Sequence, residues 1–293
     1  MLFEFRYNKL LFYIKKENMS IAICTIGRFE NLYIREFVEY YKNLGIAKIF
    51  INDNNYDGEE YFQDVINDYI ISGFVDIIDY RNKKVCQLES YQNCYDTYKY
   101  DYDWIIFIDC DEFLYIRDFN NINDYLSQEK FSQYNMIHIN VIAYGDNDLV
   151  SYDNRPLQER FIKPIYPINF AYKDFPYPVN DHVSSIIRGG LENVTWNSTP
   201  HTPTNNILCC DENGNLCPNA SLKHVGNLDE KEAFFKHYTT KTIEEFLYIK
   251  SKRGYPDQEV KQLSLSEYIN NFFKFNTITP EKIKYLQDIY WCK

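Results

Sequence analysis

Asp103-Trp104-Ile105-Ile106-Phe107-Ile108-Asp109-Cys110-Asp111-Glu112-Phe113 is an apolar run that ends in three carboxylates within four residues. Trp104 to Ile108 is continuous and β-rich, the pattern of a strand buried on both faces, and such strands belong to parallel sheets covered by helices. A strand of this kind delivers Asp109, Asp111 and Glu112 to the carboxyl edge of a sheet, where open α/β folds bind ligands. Three anions so close repel one another, and oxygen-rich clusters suit hard cations such as Mg²⁺ or Mn²⁺. The competing reading is a strand end followed by a solvated acidic turn.

Toward the N-terminus the chain alternates strand and helix. Ile21–Ile26 reads as a strand closed by Gly27, and Tyr33, Phe37, Tyr41 and Leu44 recur at helical spacing before the C-cap signal Gly45. Lys48–Ile51 is a second strand closed by Asn52-Asp53-Asn54-Asn55. A helix over Glu59–Ile71, a strand over Val75–Ile78 and a helix over Gln87–Tyr100 complete the series. This order predicts right-handed crossovers and a mostly parallel sheet flanked by helices, an α/β class of fold. Neither a dinucleotide-binding glycine fingerprint nor a phosphate-binding P-loop is present.

Toward the C-terminus the alternation fades after Leu114. Met136–Ala143 is a further strand, and Tyr144-Gly145-Asp146-Asn147-Asp148 follows it as a turn. Residues 164–178 are rich in Pro and aromatics and read as irregular loop. Thr242-Ile243-Glu244-Glu245 is a capping box opening a helix that stops at Gly254, and Thr279-Pro280-Glu281 opens another. With no repeat or linker, the expectation is one domain. Its core is residues 1–225, split into a nucleotide-binding half (20–115) and an acceptor half (116–225), and residues 226–293 form a helical extension packed on it.

Composition narrows the function. The chain has 293 residues, a net charge of −11, 45% hydrophobic and 18% aromatic content. The negative charge argues against a nucleic-acid partner, because phosphate neutralisation needs clustered Lys and Arg. No apolar run reaches the roughly 18 residues of a membrane-spanning helix, and the N-terminus lacks a signal-peptide cleavage pattern. A cytoplasmic protein is therefore expected. The mixed basic and apolar residues 1–19 leave peripheral membrane contact open beside a packed N-terminal arm. The eight Cys lack framework spacing and fit reduced thiols. Cys209-Cys210 and Cys217 bracket an Asn213-Gly214 hairpin signal, so thiols can face each other across two strands. A zinc site there needs a fourth ligand and C-x₂-C spacing, and neither is evident.

Taken together, Arg28-x-Glu30-Asn31-x-Tyr33-Ile34-x-Glu36, Asn52-Asp53-Asn54 and Asp103-Trp104-x-x-Phe107-Ile108-Asp109-x-Asp111-Glu112-Phe113 resemble bacterial glycosyltransferases of the family 2-like and family 92-like group. The resemblance continues through Tyr144-Gly145-Asp146-Asn147, Arg155-Pro156, Glu159-Arg160-Phe161, Pro200-His201-Thr202, Lys236-His237-Tyr238-x-x-Lys241-Thr242-x-Glu244-Glu245-Phe246 and Lys252-Arg253-Gly254. It covers roughly residues 20 to 256.

The resemblance implies a GT-A nucleotide-sugar fold. It also implies transfer from a nucleotide diphosphate donor, a UDP-sugar, to a glycan or lipid-linked acceptor in surface polysaccharide, lipopolysaccharide or capsule synthesis. In that reading Asp109 and Asp111 are the D-x-D pair, and His237 completes a metal site in which an imidazole favours Mn²⁺ over Mg²⁺. Thr25, Arg28, Asp53 and Asp109 border the nucleotide, with Lys241, Lys252 and Arg253 adding basic charge; Arg28 reads equally as a helix-cap ion pair. Glu112, Tyr144, His182 and His201 fall in the sugar and acceptor vicinity. An inverting reaction needs a carboxylate base, for which Asp146 is preferred over Glu159 and Asp181. Family 92 members more often show Phe-Gly-Ser-x-Gly at the Tyr144 turn, so their base does not carry over. The rivals are a nucleotidyltransferase or phosphohydrolase using the same acidic cluster, or a non-catalytic sugar-binding relic.

Overall fold

The computed structural model describes residues 19–165, 180, 182–204, 207–217, 228–253 and 263–290. The N-terminal arm, most of the Pro-rich loop and Asp181 lie outside them. The first half follows the alternation read from the sequence: β1 (Ile21–Gly27), α1 (Ile34–Asn43), β2 (Lys48–Asp53), α2 (Gln63–Ile71), β3 (Val75–Asp79), α3 (Gln87–Tyr98) and β4 (Trp104–Phe107). β1 pairs in parallel with β2 and β4, and β2 in parallel with β3. Every residue of β1 and β4 is buried, as continuous apolar runs require.

Beyond β4 the sheet becomes mixed. The chain continues through β5 (Glu112–Ile116), α4 (Ile122–Leu126), β6 (Met136–Ala143), α5 (Leu157–Arg160), β7 (Val183–Arg188), β8 (Cys209–Asp211), β9 (Leu216–Cys217) and β10 (Ala233–His237). The helices α6 (Ile243–Arg253), α7 (Leu265–Phe275) and α8 (Pro280–Tyr290) end the described chain. β7 runs antiparallel to both β4 and β6, and β10 lies between β6, to which it is parallel, and β5, to which it is antiparallel. The expectation of a mostly parallel sheet therefore holds for the first four strands and not for the second half. Residues 226–293 are likewise not purely helical, because β10 sits inside the sheet.

The order β3-β2-β1-β4-β7-β6-β10-β5 puts four strand spacings between β4 and β5, roughly 19 Å if the sheet were flat. Only Ile108–Asp111 join them, and Glu112 N donates to Asp109 O at 3.1 Å, so the link is turned rather than extended. Such a link falls short of that span, at no more than about 3.5 Å per residue. The sheet accordingly curls, and β5 returns beside the end of β4. Asp109, Cys110 and Asp111 hang in the mouth of the curl. A core of aromatic and branched side chains fills it, with Tyr33, Phe37, Tyr41, Phe113 and Tyr238 together on one face.

Candidate functional site

The mouth of the curl is a cleft of about 260 Å³. Its floor is the β4–β5 link, bringing Asp109, Asp111 and Glu112. Gly27, at the end of β1, must approach this link closely: a Cβ there would lie 2.9 Å from the Phe62 ring and 3.0 Å from Cys110 Sγ. Behind it Thr25 is fully buried, its hydroxyl 3.3 Å from Cys110 Sγ, which places Thr25 beneath the cleft rather than on its wall.

His237 arrives from far along the chain through strand pairing. It stands opposite Glu112 in the β10–β5 register, and Tyr238 N donates to Asp111 O at 3.0 Å. This puts His237 Nε2 3.3 Å from Asp111 Oδ1 and Nδ1 4.0 Å from Glu112 Oε1. Asp109, Asp111 and His237 each offer a ligand atom within 4.8 Å of the others. Two carboxylates and an imidazole form a donor set suited to Mn²⁺, and their convergence at an open cleft fits a bound divalent cation.

Lys241 stands behind this cluster. Its ammonium is buried, lies 3.0 Å from Asp111 Oδ2, and is 4.7 Å from the Tyr33 ring centroid. Lys241 has φ of 55°, a left-handed conformation uncommon for a side-chain-bearing residue, at the joint between β10 and α6. Burial opposes ionisation of Asp111, yet Lys241 and His237 hold its carboxyl well below the usual range. Burial would depress His237, but the Asp111 carboxylate overrides this and raises it. Glu112 goes the other way: burial, reinforced by Asp109, pushes it up to about 8 against the Ser184 hydroxyl, which donates to it at 2.7 Å.

One wall carries positive charge. Arg28 lines the cleft, donates to Glu59 at 2.8 and 2.5 Å, stacks 3.8 Å from the Tyr56 centroid, and reaches the Arg253 carbonyl at 3.2 Å. Arg253 lines the same wall, paired with Glu30. His182 and His201, whose rings stack at 5.2 Å, also line the cleft.

Several sequence expectations land elsewhere. Asp53 does not line the cleft: its carboxylate accepts from Asn55 N and Nδ2 and pairs with Arg81 at 2.8 Å, leaving neighbouring Asn54 as the wall residue. Lys252 is exposed, over the Tyr248 ring, and the lysine in the cleft is Lys250. Tyr144 packs against Tyr238 in the core. Asp146, the preferred base, is buried away from the cleft, accepts from Asp148 N and pairs with Lys282 of α8, as suits the first residue of a tight Asx turn. Glu159 is exposed on α5. Gln87, absent from the expectations, opens α3 and donates to Asp109 Oδ1 at 3.2 Å. Its position in the first turn after a strand's carboxyl end was the available signal.

Glycosyltransferase family 92 protein Os08g0121900 from rice, Oryza sativa subsp. japonica, is 28% identical over 130 residues, covering 41% of this chain and 20% of the rice protein. GalNAc-T7, solved with UDP, GalNAc and Mn²⁺, superposes with a TM-score of 0.38 at 10% identity, covering 94% of this chain and 57% of that one. The chain thus spans a fifth of the rice protein and little over half of GalNAc-T7. The profile of Glycosyltransferase family 92 matches residues 17–290, nearly the whole length, and on that match the chain belongs to glycosyltransferase family 92.

Proposed function

We propose that this chain is a metal-dependent, inverting glycosyltransferase of GT-A type that moves a sugar from a UDP-sugar to a hydroxyl of a glycan or lipid-linked acceptor in the cytoplasm. The observation that carries the reading is the convergence of Asp109, Asp111 and His237 in one cleft, faced by Arg28, Lys250 and Arg253. Asp109, Asp111 and His237 would hold Mn²⁺, which when bound supplies Lewis-acid neutralisation of a diphosphate leaving group. Arg28 and Arg253 are placed to bind the anionic donor, and Gln87 orients Asp109 through its amide. Lys241 keeps Asp111 ionised when the cleft holds no cation. Glu112 replaces Asp146 as the proposed proton acceptor, because it lines the cleft and Asp146 does not. His182 and His201 form the proposed sugar-facing wall. The bacterial cell-surface setting gains no support from a plant relative, so the proposal stops at the acceptor's chemical class.

Calorimetry of UDP binding with and without Mn²⁺, on the parent chain and on Asp111→Asn and His237→Ala, tests it. Mn²⁺-dependent binding lost in both variants is the expected outcome. A folded parent chain that binds no UDP with Mn²⁺ present refutes it. Release of pyrophosphate or phosphate instead of UDP during turnover would assign the cleft to a nucleotidyltransferase or phosphohydrolase.

A further inference from the structure

A second cluster of ligating side chains lies away from the cleft, where the β8–β9 hairpin joins β6. Cys209 and Cys217 are direct cross-strand partners on β8 and β9, and β8 pairs in parallel with β6 so that Met136 stands beside Cys209. Side chains alternate faces along a strand, so Met136 and His138 share a face with both cysteines. The three candidate ligands are buried: His138 is 0%, Cys209 1% and Cys217 7% exposed. Their sulfurs lie 3.1 Å apart, and a ring nitrogen of His138 and both sulfurs fall within 4.8 Å of one another.

His138 supplies the second observation. Its Nε2 lies 3.2 Å from Thr202 Oγ1, while its Nδ1 has no hydrogen-bond partner among the described residues. A fully buried imidazole nitrogen without a partner is unfavourable in a metal-free site. A histidine whose other nitrogen is fixed by a neighbour is how a ligating imidazole is held in one tautomer.

From this arrangement we infer that His138, Cys209 and Cys217 bind a thiophilic d¹⁰ cation, Zn²⁺, as a structural site separate from the cleft. Two thiolates and one imidazole supply three of the positions around a tetrahedral zinc, the fourth being left to a water molecule, and hard cations do not select them. Both thiol protons leave to solvent as the thiolates bind, so uptake releases protons. The site does not depend on the proposed transferase activity. It reaches the cleft through Thr202, which His138 contacts and which follows His201 on the wall.

The test uses the full chain purified under thiol reductant and dialysed. Zinc is counted by atomic emission, and Co²⁺ replacement is followed by its thiolate charge-transfer absorption. The expected result is about one zinc per chain. It should be absent from Cys217→Ser, reduced in His138→Gln, and retained by Asp111→Asn, which separates this site from the acidic cleft. Circular dichroism confirms folding of each variant, and the Co²⁺ spectrum of the parent chain stands without any variant. A reduced, folded parent chain that takes up neither Zn²⁺ nor Co²⁺ overturns the inference. So does zinc lost with Asp111→Asn but kept by Cys217→Ser, or a Cys209–Cys217 disulfide in metal-free protein that binds no zinc after reduction. Copper following the same variant pattern would overturn the assignment to zinc.

Discussion

Replacing Arg160 with Met should unlock the joint that positions α6, at a cost the structure allows to be worked out. The Arg160 guanidinium donates both outer nitrogens to Glu245 at 2.9 Å, and both side chains are 1% exposed. The Glu245 carboxylate also accepts from Tyr33 OH and Thr242 Oγ1, each at 2.6 Å. Removing one member of a buried pair typically costs about 3–5 kcal/mol, because the other charge stays buried without its partner. The retained Tyr33 and Thr242 contacts favour the lower end of that range. At roughly 2.1 cal/mol/K of unfolding entropy per residue, a chain of 293 residues has about 0.6 kcal/mol/K, so the melting temperature should fall by about 5–8 °C. Burial alone would raise Glu245, but Arg160, Thr242 and Tyr33 hold it below its usual value. Its contribution is therefore present above the unfolded carboxyl pKa of about 4.3 and is lost as pH falls through the lower folded value. In Arg160→Met, burial acts without the guanidinium and Glu245 protonates in mild acid, so the deficit against the parent chain should shrink between pH 7 and pH 5. Arg160→Met with Glu245→Gln, which removes the charge and keeps the Tyr33 and Thr242 contacts, should be more stable than Arg160→Met alone. Thermal melts of the three proteins at both pH values decide the matter. A single variant melting within about 1 °C of the parent, or a double variant no better than the single, would refute the reasoning.

Lys241→Met should melt below the parent chain without metal, since Asp111 loses its buried partner, and Mn²⁺ should raise its melting temperature more than it raises the parent's; equal shifts would show that Lys241 and a cation do not share Asp111. The raised His237 value has a definite sign: in the metal-free protein its imidazolium contributes stability that is full below the unfolded value of about 6.5 and fades as pH rises through the folded one. Because a ligating imidazole must be neutral, Mn²⁺ affinity measured by calorimetry should drop from pH 8 to pH 6, and His237→Gln should flatten that dependence. Lys282→Met leaves Asp146 buried without its ammonium and should cost about 3 kcal/mol in urea titrations. Turnover per folded molecule should stay unchanged, whereas a loss of kcat without a loss of stability would return Asp146 to the reacting centre.

The elements whose signals are local were legible. β1 and β4 are single apolar runs, the capping box at Thr242 and Glu245 forms as read, and Met136–Ala143 is β6 to the residue. β5 and β10 were missed because what makes them strands is each other: Ala233–His237 is short and carries Lys236 and His237, and it becomes a strand by pairing with residues 112–116 and 141–143. The same nonlocality hid the relation of His237 to the acidic link, which motif resemblance supplied and spacing could not. Asp53 and Asp146 lie outside the cleft for a shared reason. A carboxylate after a strand serves a turn as readily as a ligand, and only the partners Arg81 and Lys282 show that both serve turns here.

The insertion of β10 between β6 and β5 has a consequence for how the chain comes to its native state. β5 emerges during synthesis more than a hundred residues before the strand that completes it, so its backbone waits as an open edge, the kind of surface that templates aggregation. Loop closure over that separation is slow relative to local pairing. The first four strands can assemble on their own order of contacts, whereas the acidic cluster gains His237 only when the last strand is threaded home. A chain halted before Ala233 would keep Asp109 and Asp111 and lack the histidine that stands beside them.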